Sequence, residues 1–200
     1  MSNEFYSASN DFFPAAYKRV RAHEGGDVNH PADTGRLTSR GVTQATYDRY
    51  RKDRIPSLSI RSVTEATSGE IRDVFFSFYW LEGKCNRMWT FPLALVHFDG
   101  CVNHGVYGAS RILQRGMNVL GHGPLKVDGS IGSKTLLAFA ELELADEHNL
   151  TEALLWERLR LYSNRVQKKP DQIAFLRGWL NRILSLKKTF YEERTVRRPQ

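Results

Sequence analysis

Long apolar runs are missing from this 200-residue chain, and none approaches the roughly 20 residues of a membrane-spanning helix. Cysteine is scarce. Cys85 and Cys101 are too few for a disulfide framework and match no metal-ligand spacing, so they read as two free, half-buried thiols in a reducing compartment. The six histidines show no His-x-x-Glu-His or related spacing and no cysteine pairs with them in sequence, which argues against a zinc amidase; no metal or cofactor is expected. Sustained apolar–polar alternation is absent, which excludes an extended sheet. No repeat or low-complexity tract occurs. The stretch from Met1 to Asp11 lacks a basic start followed by an apolar run, so we expect no signal peptide and synthesis into a cytosol. The first 150 residues also lack net charge, with 17 basic and 17 acidic side chains.

The whole excess of +7 therefore falls on residues 151–200, which hold 12 basic and 5 acidic side chains. That end favours an anionic partner: nucleic acid, a membrane surface or an envelope polymer. Hydrophobic residues at 41% are those of an ordinary globular chain, long enough to bury a core.

The apolar spacing is helical. Phe13, Ala16 and Val20 make one face of a helix that runs into Glu24 and stops at Gly25-Gly26. From Asp27 to Thr43 the chain is rich in turn residues, which predicts loops or a short hairpin. Helices are expected from Thr43 to Arg54, after the capping box Thr67-Ser68-Gly69-Glu70, over Leu93–Val102 and Gly108–Leu120, and from about Lys134 to Glu147. Leu155, Leu159, Tyr162 and Val166 mark another. Beyond Pro170, a stripe of Ile173, Leu176, Leu180 and Ile183 opens the last. The fold class is mainly α, with an irregular or β-hairpin segment near residues 25–43.

Glu24 is the sharpest chemical feature. A carboxyl continuing a core-facing row sits partly in low dielectric, which raises its pKa and suits a general acid. Asp33 lies nine residues on and Thr38 five further, in a loop that can fold back across the helix end. Two opposed carboxylates are what glycoside hydrolysis uses, one to protonate the leaving oxygen and one to act on water or the sugar's positive charge. Asp27 and Asp48 are equally plausible second carboxylates on chemistry alone.

These residues carry a resemblance. His23-Glu24-Gly25-Gly26, Val28-Asn29, Pro31-Ala32-Asp33, Gly35, Thr38 and Gly41-Val42-Thr43 resemble the N-terminal signature of glycoside hydrolase family 108, lysozyme-like N-acetylmuramidases frequent among phage endolysins. Phe78-Tyr79-Trp80 is similar to its aromatic element, and Phe98-Asp99, Val102-Asn103 and Gly105 to its D-x-x-V-N-x-G block. Leu113-Gln114, Asp128-Gly129, Ile131-Gly132 and Thr135 resemble its peptidoglycan-binding segment; Arg158, Tyr162, Phe175, Gly178-Trp179 and Arg182 resemble its closing pattern. The similarity runs over about residues 12–186.

The resemblance implies a lysozyme-like helical fold with a catalytic segment over 10–107, a helical peptidoglycan-binding-like segment over 108–188 packed on it, and a basic tail over 189–200. It implies Glu24 as general acid, with Asp33 and Thr38 positioning water and Ser39 as an alternative hydroxyl. Two departures stand out: Asp27 where the family has an aromatic residue, and Arg36 where it has glycine. Asp27 thus competes for the second-carboxylate role. Asp27, Tyr79, Trp80, Asp99 and Asn103 are the candidate substrate contacts, with Trp89 a further stacking ring. The opposing readings are aromatic core for the rings, a helix brace for Asp99 and Asn103, and a plain tight turn for Asp128-Gly129.

The reaction implied is cleavage of the β-1,4 bond between N-acetylmuramic acid and N-acetylglucosamine. A non-catalytic peptidoglycan binder and a lytic transglycosylase are the alternatives. The implied partner is bacterial peptidoglycan, met by a monomer that accumulates in the host cytoplasm and acts on the wall in the periplasm. The basic C-terminal region faces the anionic envelope, and no groove-reading motif points to nucleic acid.

Overall fold

The computed structural model describes residues 12–23, 37–54 and 61–193. Within these the chain is almost wholly helical, as its spacing implies. Helix α1 (Phe12–His23) buries Phe13, Ala16 and Val20. A hairpin follows, β1 (Thr38–Ser39) and β2 (Val42–Thr43), antiparallel with Thr38 opposite Thr43 and Ser39 opposite Val42. Its two-residue turn has both central residues left-handed, Arg40 at φ 51° and Gly41 at φ 80°, the conformation that matches the twist of two short strands.

Helix α2 (Gln44–Arg54) starts directly from β2. Gln44 binds it to the next segment: its amide donates to the Arg61 carbonyl at 2.9 Å and accepts from Val63 N at 2.7 Å. Helix α3 (Ser68–Val74) opens on the capping box foreseen from sequence. Thr67 Oγ1 accepts from Glu70 N at 3.1 Å and Glu70 Oε2 accepts from Thr67 N at 2.8 Å, a cap worth about 1 kcal/mol. Glu70 also receives Tyr47 Oη at 3.1 Å and the Arg61 guanidinium, so one carboxylate ties α2, α3 and the segment between them.

From Phe75 to Leu81 the helix widens to π geometry, with Glu82 N bonding back five residues to the Ser77 carbonyl. The wider turn sends Phe75, Phe78 and Trp80 into the core. Trp80 meets Phe98 edge to face at 5.3 Å and Phe13 at 5.6 Å, contacts of about 1 kcal/mol each.

Helix α4 (Phe91–Val119) is the axis of the molecule, and residues 91–101 are buried without exception. It breaks at Gly105 (φ 72°, ψ 158°), which resolves it into the two helices expected from sequence. Around it pack α5 (Ser133–Ala140), α6 (Leu144–Lys168) and α7 (Ile173–Glu193). None of the described helices is long and apolar enough to cross a membrane.

Three expectations need correction. The helix expected to Glu147 ends at Ala140, because Glu143 and Asp146 form a new capping box that starts α6. The stripe opening α7 is only partly buried: Ile183 is enclosed, whereas Ile173 is 62% exposed and Leu180 38%, since the first turns of α7 run past the core. Residues 189–193 are helix rather than tail, held by buried Thr189 and Phe190; residues 194–200 lie outside the described residues.

Candidate functional site

The described part of the site starts at the end of α1. Arg21 Nη1 donates to the carbonyl of Arg40 in the hairpin turn, and Arg40 donates to the Ala66 carbonyl. One guanidinium thus fastens the last turn of α1 to the hairpin, and a second fastens the hairpin to the start of α3. Thr38, half-buried on β1, faces Thr43 across the ladder. Thr43 Oγ1 accepts from Thr46 N at 3.2 Å and lies 2.9 Å from Thr46 Oγ1. Thr46 in turn lines an open groove of about 330 Å³ between α2, the π turn and the second half of α4.

Arg49, Phe78, Tyr79, Glu82 and Val106 complete most of that lining. Arg49 lies 4.2 Å over the Phe78 ring and pairs with Glu82, so the groove wall offers an aromatic face beside a fixed ion pair. Sequence reasoning passed over both Arg49 and Glu82. The readable signal was spacing: Glu82 follows Phe78 by four residues and Tyr79 by three, one helix face.

The candidates divide sharply. Glu24, Asp27, Asp33 and Arg36 lie outside the described residues; α1 ends at His23, one residue before Glu24. Tyr79 lines the groove and is half-buried. Trp80 is corrected to the core: it is fully enclosed and presents no face to a sugar. Trp89 is half-buried, its backbone N donating to Glu147 Oε1 at 3.1 Å. Ser39, the alternative hydroxyl, is buried.

Asp99 is likewise corrected. Its carboxylate is wholly buried among three helices, accepting from Arg158 of α6 at 2.7 Å and from Arg182 of α7 at 2.8 and 2.9 Å. Burial opposes its charge, but the two guanidinium groups outweigh it and hold its pKa below the usual carboxylate range. Asn103 is exposed, and its side-chain oxygen is engaged by Tyr162 Oη at 2.8 Å; Arg158 also donates to Tyr162 Oη, at 3.3 Å. The Tyr162 ring stacks on Trp179 at 4.9 Å. These two residues brace the helices instead of lining the groove. His104 sits over Tyr162; burial, and then the Arg158 charge, push its pKa down to about 3, so it stays neutral beside the arginines.

The Asp128-Gly129 block is a clamped turn. Buried Gln114 donates to Asp128 Oδ1 and the Ser130 carbonyl, both at 3.0 Å, and accepts from Gly129 N at 2.9 Å. Gly129 has φ 78°, and a Cβ there would stand 2.5 Å from the Tyr107 ring. A further cluster was also missed. Cys85 and Cys101 are fully buried, not half-buried, and a ring nitrogen of His97 lies within 4.8 Å of both sulfurs. The readable signal was His97 four residues before Cys101, one helix face.

A helical body with a short hairpin beside an open groove is a mainly α, lysozyme-like architecture. A solved structure of Brucella abortus SagA shares it, with a TM-score of 0.68 at 22% identity over 92% of this chain and 96% of that one. Residues 17–105 match the glycosyl hydrolase 108 family, and residues 108–184 match the family described as a predicted peptidoglycan domain. Together these matches support a peptidoglycan hydrolase. No curated protein matches the chain.

Proposed function

We propose that this hydrolase is an endolysin-type N-acetylmuramidase, cleaving the β-1,4 bond between N-acetylmuramic acid and N-acetylglucosamine. The observation that carries the reading is the fastening of α1 to the hairpin through Arg21 and the Arg40 carbonyl. It ties the helix that leads into Glu24 to the hairpin that bears Thr38. In the reaction, Glu24 donates its proton to the glycosidic oxygen as the bond to the anomeric carbon breaks. Asp33, or Asp27 in its place, orients a water and takes its proton as the water oxygen bonds to that carbon, and Thr38 helps hold this water. Tyr79 and the Arg49–Glu82 wall receive the glycan, the aromatic ring stacking and the charges meeting polar substituents. The catalytic hydroxyl, the second carboxylate and the acid thus come from one short stretch, 24–38.

The basic C-terminal end serves attachment to the anionic envelope. Trp156 is 63% and Tyr191 51% exposed on adjacent helices, with Lys187 Nζ 5.9 and 5.7 Å from their ring centres. The protein acts as a monomer, accumulates in the cytoplasm of the producing bacterium and reaches its substrate in the periplasm.

The test is Glu24→Gln on purified peptidoglycan, with product analysis by mass spectrometry. The wild type should release reducing muramic ends, and the variant should lose activity by at least about 100-fold at unchanged melting temperature. Undiminished lysis by the variant overturns the assignment. Products ending in 1,6-anhydro rings would make the enzyme a lytic transglycosylase, and binding to sacculi without any product would make it a binder only.

A further inference from the structure

Among the described residues, one group of potential metal donors converges: Cys85, His97 and Cys101, with both sulfurs and a ring nitrogen within 4.8 Å of one another. Cys85 begins the tight turn Cys85–Arg87 that leaves the π segment, while His97 and Cys101 stand four residues apart on α4. All three are enclosed by protein, with exposures of 0, 2 and 0%. His97 Nε2 lies 2.9 Å from the Gly83 carbonyl. Donation to that carbonyl fixes the tautomer and leaves the Nδ1 lone pair for a ligand, which is how a metal-binding histidine is commonly oriented. A Cβ on Gly83 would stand 2.6 Å from Cys101 Sγ and 3.4 Å from Cys85 Sγ, so the cluster is built against the one residue type that leaves room for it.

We propose that Cys85, His97 and Cys101 form a buried structural site for one thiophilic divalent cation, with zinc the fitting ion. Two thiolates and a neutral imidazole suit zinc, whereas magnesium and calcium require oxygen donors. Two thiolate charges also cancel a double positive charge, so the loaded site buries no net charge. The Tyr79 carbonyl, 3.8 Å from Cys85 Sγ, supplies an oxygen at the edge of the cluster. Loading accompanies folding, because the donors are sealed from solvent once the core closes. The same seal disfavours the competing chemistry, in which a small-molecule disulfide or thiol oxidase would remove two electrons and two protons to join the sulfurs. The ion would pin the exit of the π turn to α4, behind the wall that carries Tyr79 and Glu82.

The site is tested on the full, tag-free chain, unfolded under reductant and refolded with zinc or with cobalt, then freed of loose metal. One ion per chain is expected by elemental mass spectrometry, with a thiolate-to-cobalt charge-transfer band in the cobalt form. Both thiols should resist alkylation until a chelator is added in denaturant. Cys101→Ser should lose the band, and because that variant can fail to fold, the wild-type measurements decide. A natively folded wild type that retains no metal overturns the proposal. So does retained cobalt without the thiolate band, and so does recovery of the two cysteines as a disulfide.

Discussion

Arg182 bonds through its single Nε to both carboxylate oxygens of Asp99, at 2.9 and 2.8 Å, in a pocket where the carboxylate has no exposure. Arg158 approaches the same carboxylate from another helix at 2.7 Å. Asp99 is thus the point where α4, α6 and α7 are joined, and it links the hydrolase-family segment to the peptidoglycan-domain segment. Removing one partner from a buried pair leaves the others charged and uncompensated. Asp99→Asn should therefore cost about 3–5 kcal/mol and lower the melting temperature by on the order of 10 °C. Scanning calorimetry on the variant checks this. A substrate-contacting aspartate would instead lower turnover at an unchanged melting temperature.

That network also shows how much the sequence made readable. The helices and the capping box at Thr67 and Glu70 are written in local spacing, so they were legible. The short hairpin was legible as a turn-rich stretch near residues 25–43, while its two-residue turn at Arg40-Gly41 was not. Asp99 and Asn103, four residues apart, looked equally like cleft-lining groups and a brace. Their partners Arg158, Tyr162 and Arg182 lie 59 to 83 residues away, and nothing local reveals such a pairing. Trp80 was misplaced because a run of aromatics in Phe75–Leu81 has no fixed inward face once the helix widens to π geometry. Cys85 reads as an isolated thiol for a related reason, since it reaches His97 and Cys101 across elements.

The turn clamp at Gly129 gives a second expectation. A side chain there meets both a left-handed backbone (φ 78°) and the Tyr107 ring. Gly129→Ala should destabilise the fold by about 2 kcal/mol. Adding Tyr107→Ala should recover only part of this, because it removes the clash and leaves the backbone strain. A denaturant-unfolding cycle over the two positions measures the split, and full recovery would assign the whole cost to the ring.

His104 makes stability pH-dependent. Its folded pKa, about 3, lies below the ordinary histidine value of 6.5, so the unfolded chain takes up a proton that the folded chain refuses. The groups bearing on it are Arg158, Asp99, Arg182 and Arg165, with Tyr162 against its ring. Stability from this group is complete above pH 6.5 and falls as the pH drops toward 3. The limiting slope for one proton is about 1.4 kcal/mol per pH unit. His104→Gln should flatten the fall by that slope between pH 6 and 4 in urea titrations at fixed ionic strength. An unchanged slope would place the lost proton elsewhere.

Groove and attachment surface should separate in their response to salt. If the groove lined by Tyr79 and the Arg49–Glu82 pair receives the glycan as proposed, Tyr79→Ala should weaken cleavage of soluble fragments and whole walls alike. Lys187 and Lys188 lie on α7, remote in sequence from residues 24–38, and Arg194, Arg197 and Arg198 follow beyond the described residues. Their attraction to an anionic envelope is long-ranged and screened over about 8 Å at physiological ionic strength. Neutralising these five should lower lysis of whole cells several-fold at low salt and leave soluble-fragment turnover unchanged. The gap between wild type and variant should close as salt is raised, because screening removes from the wild type what the substitutions remove from the variant. Trp156→Ala should also weaken retention on sacculi, but with little salt dependence, since a stacking ring carries no charge to screen. Equal losses on cells and on fragments would assign the basic end to folding instead of attachment.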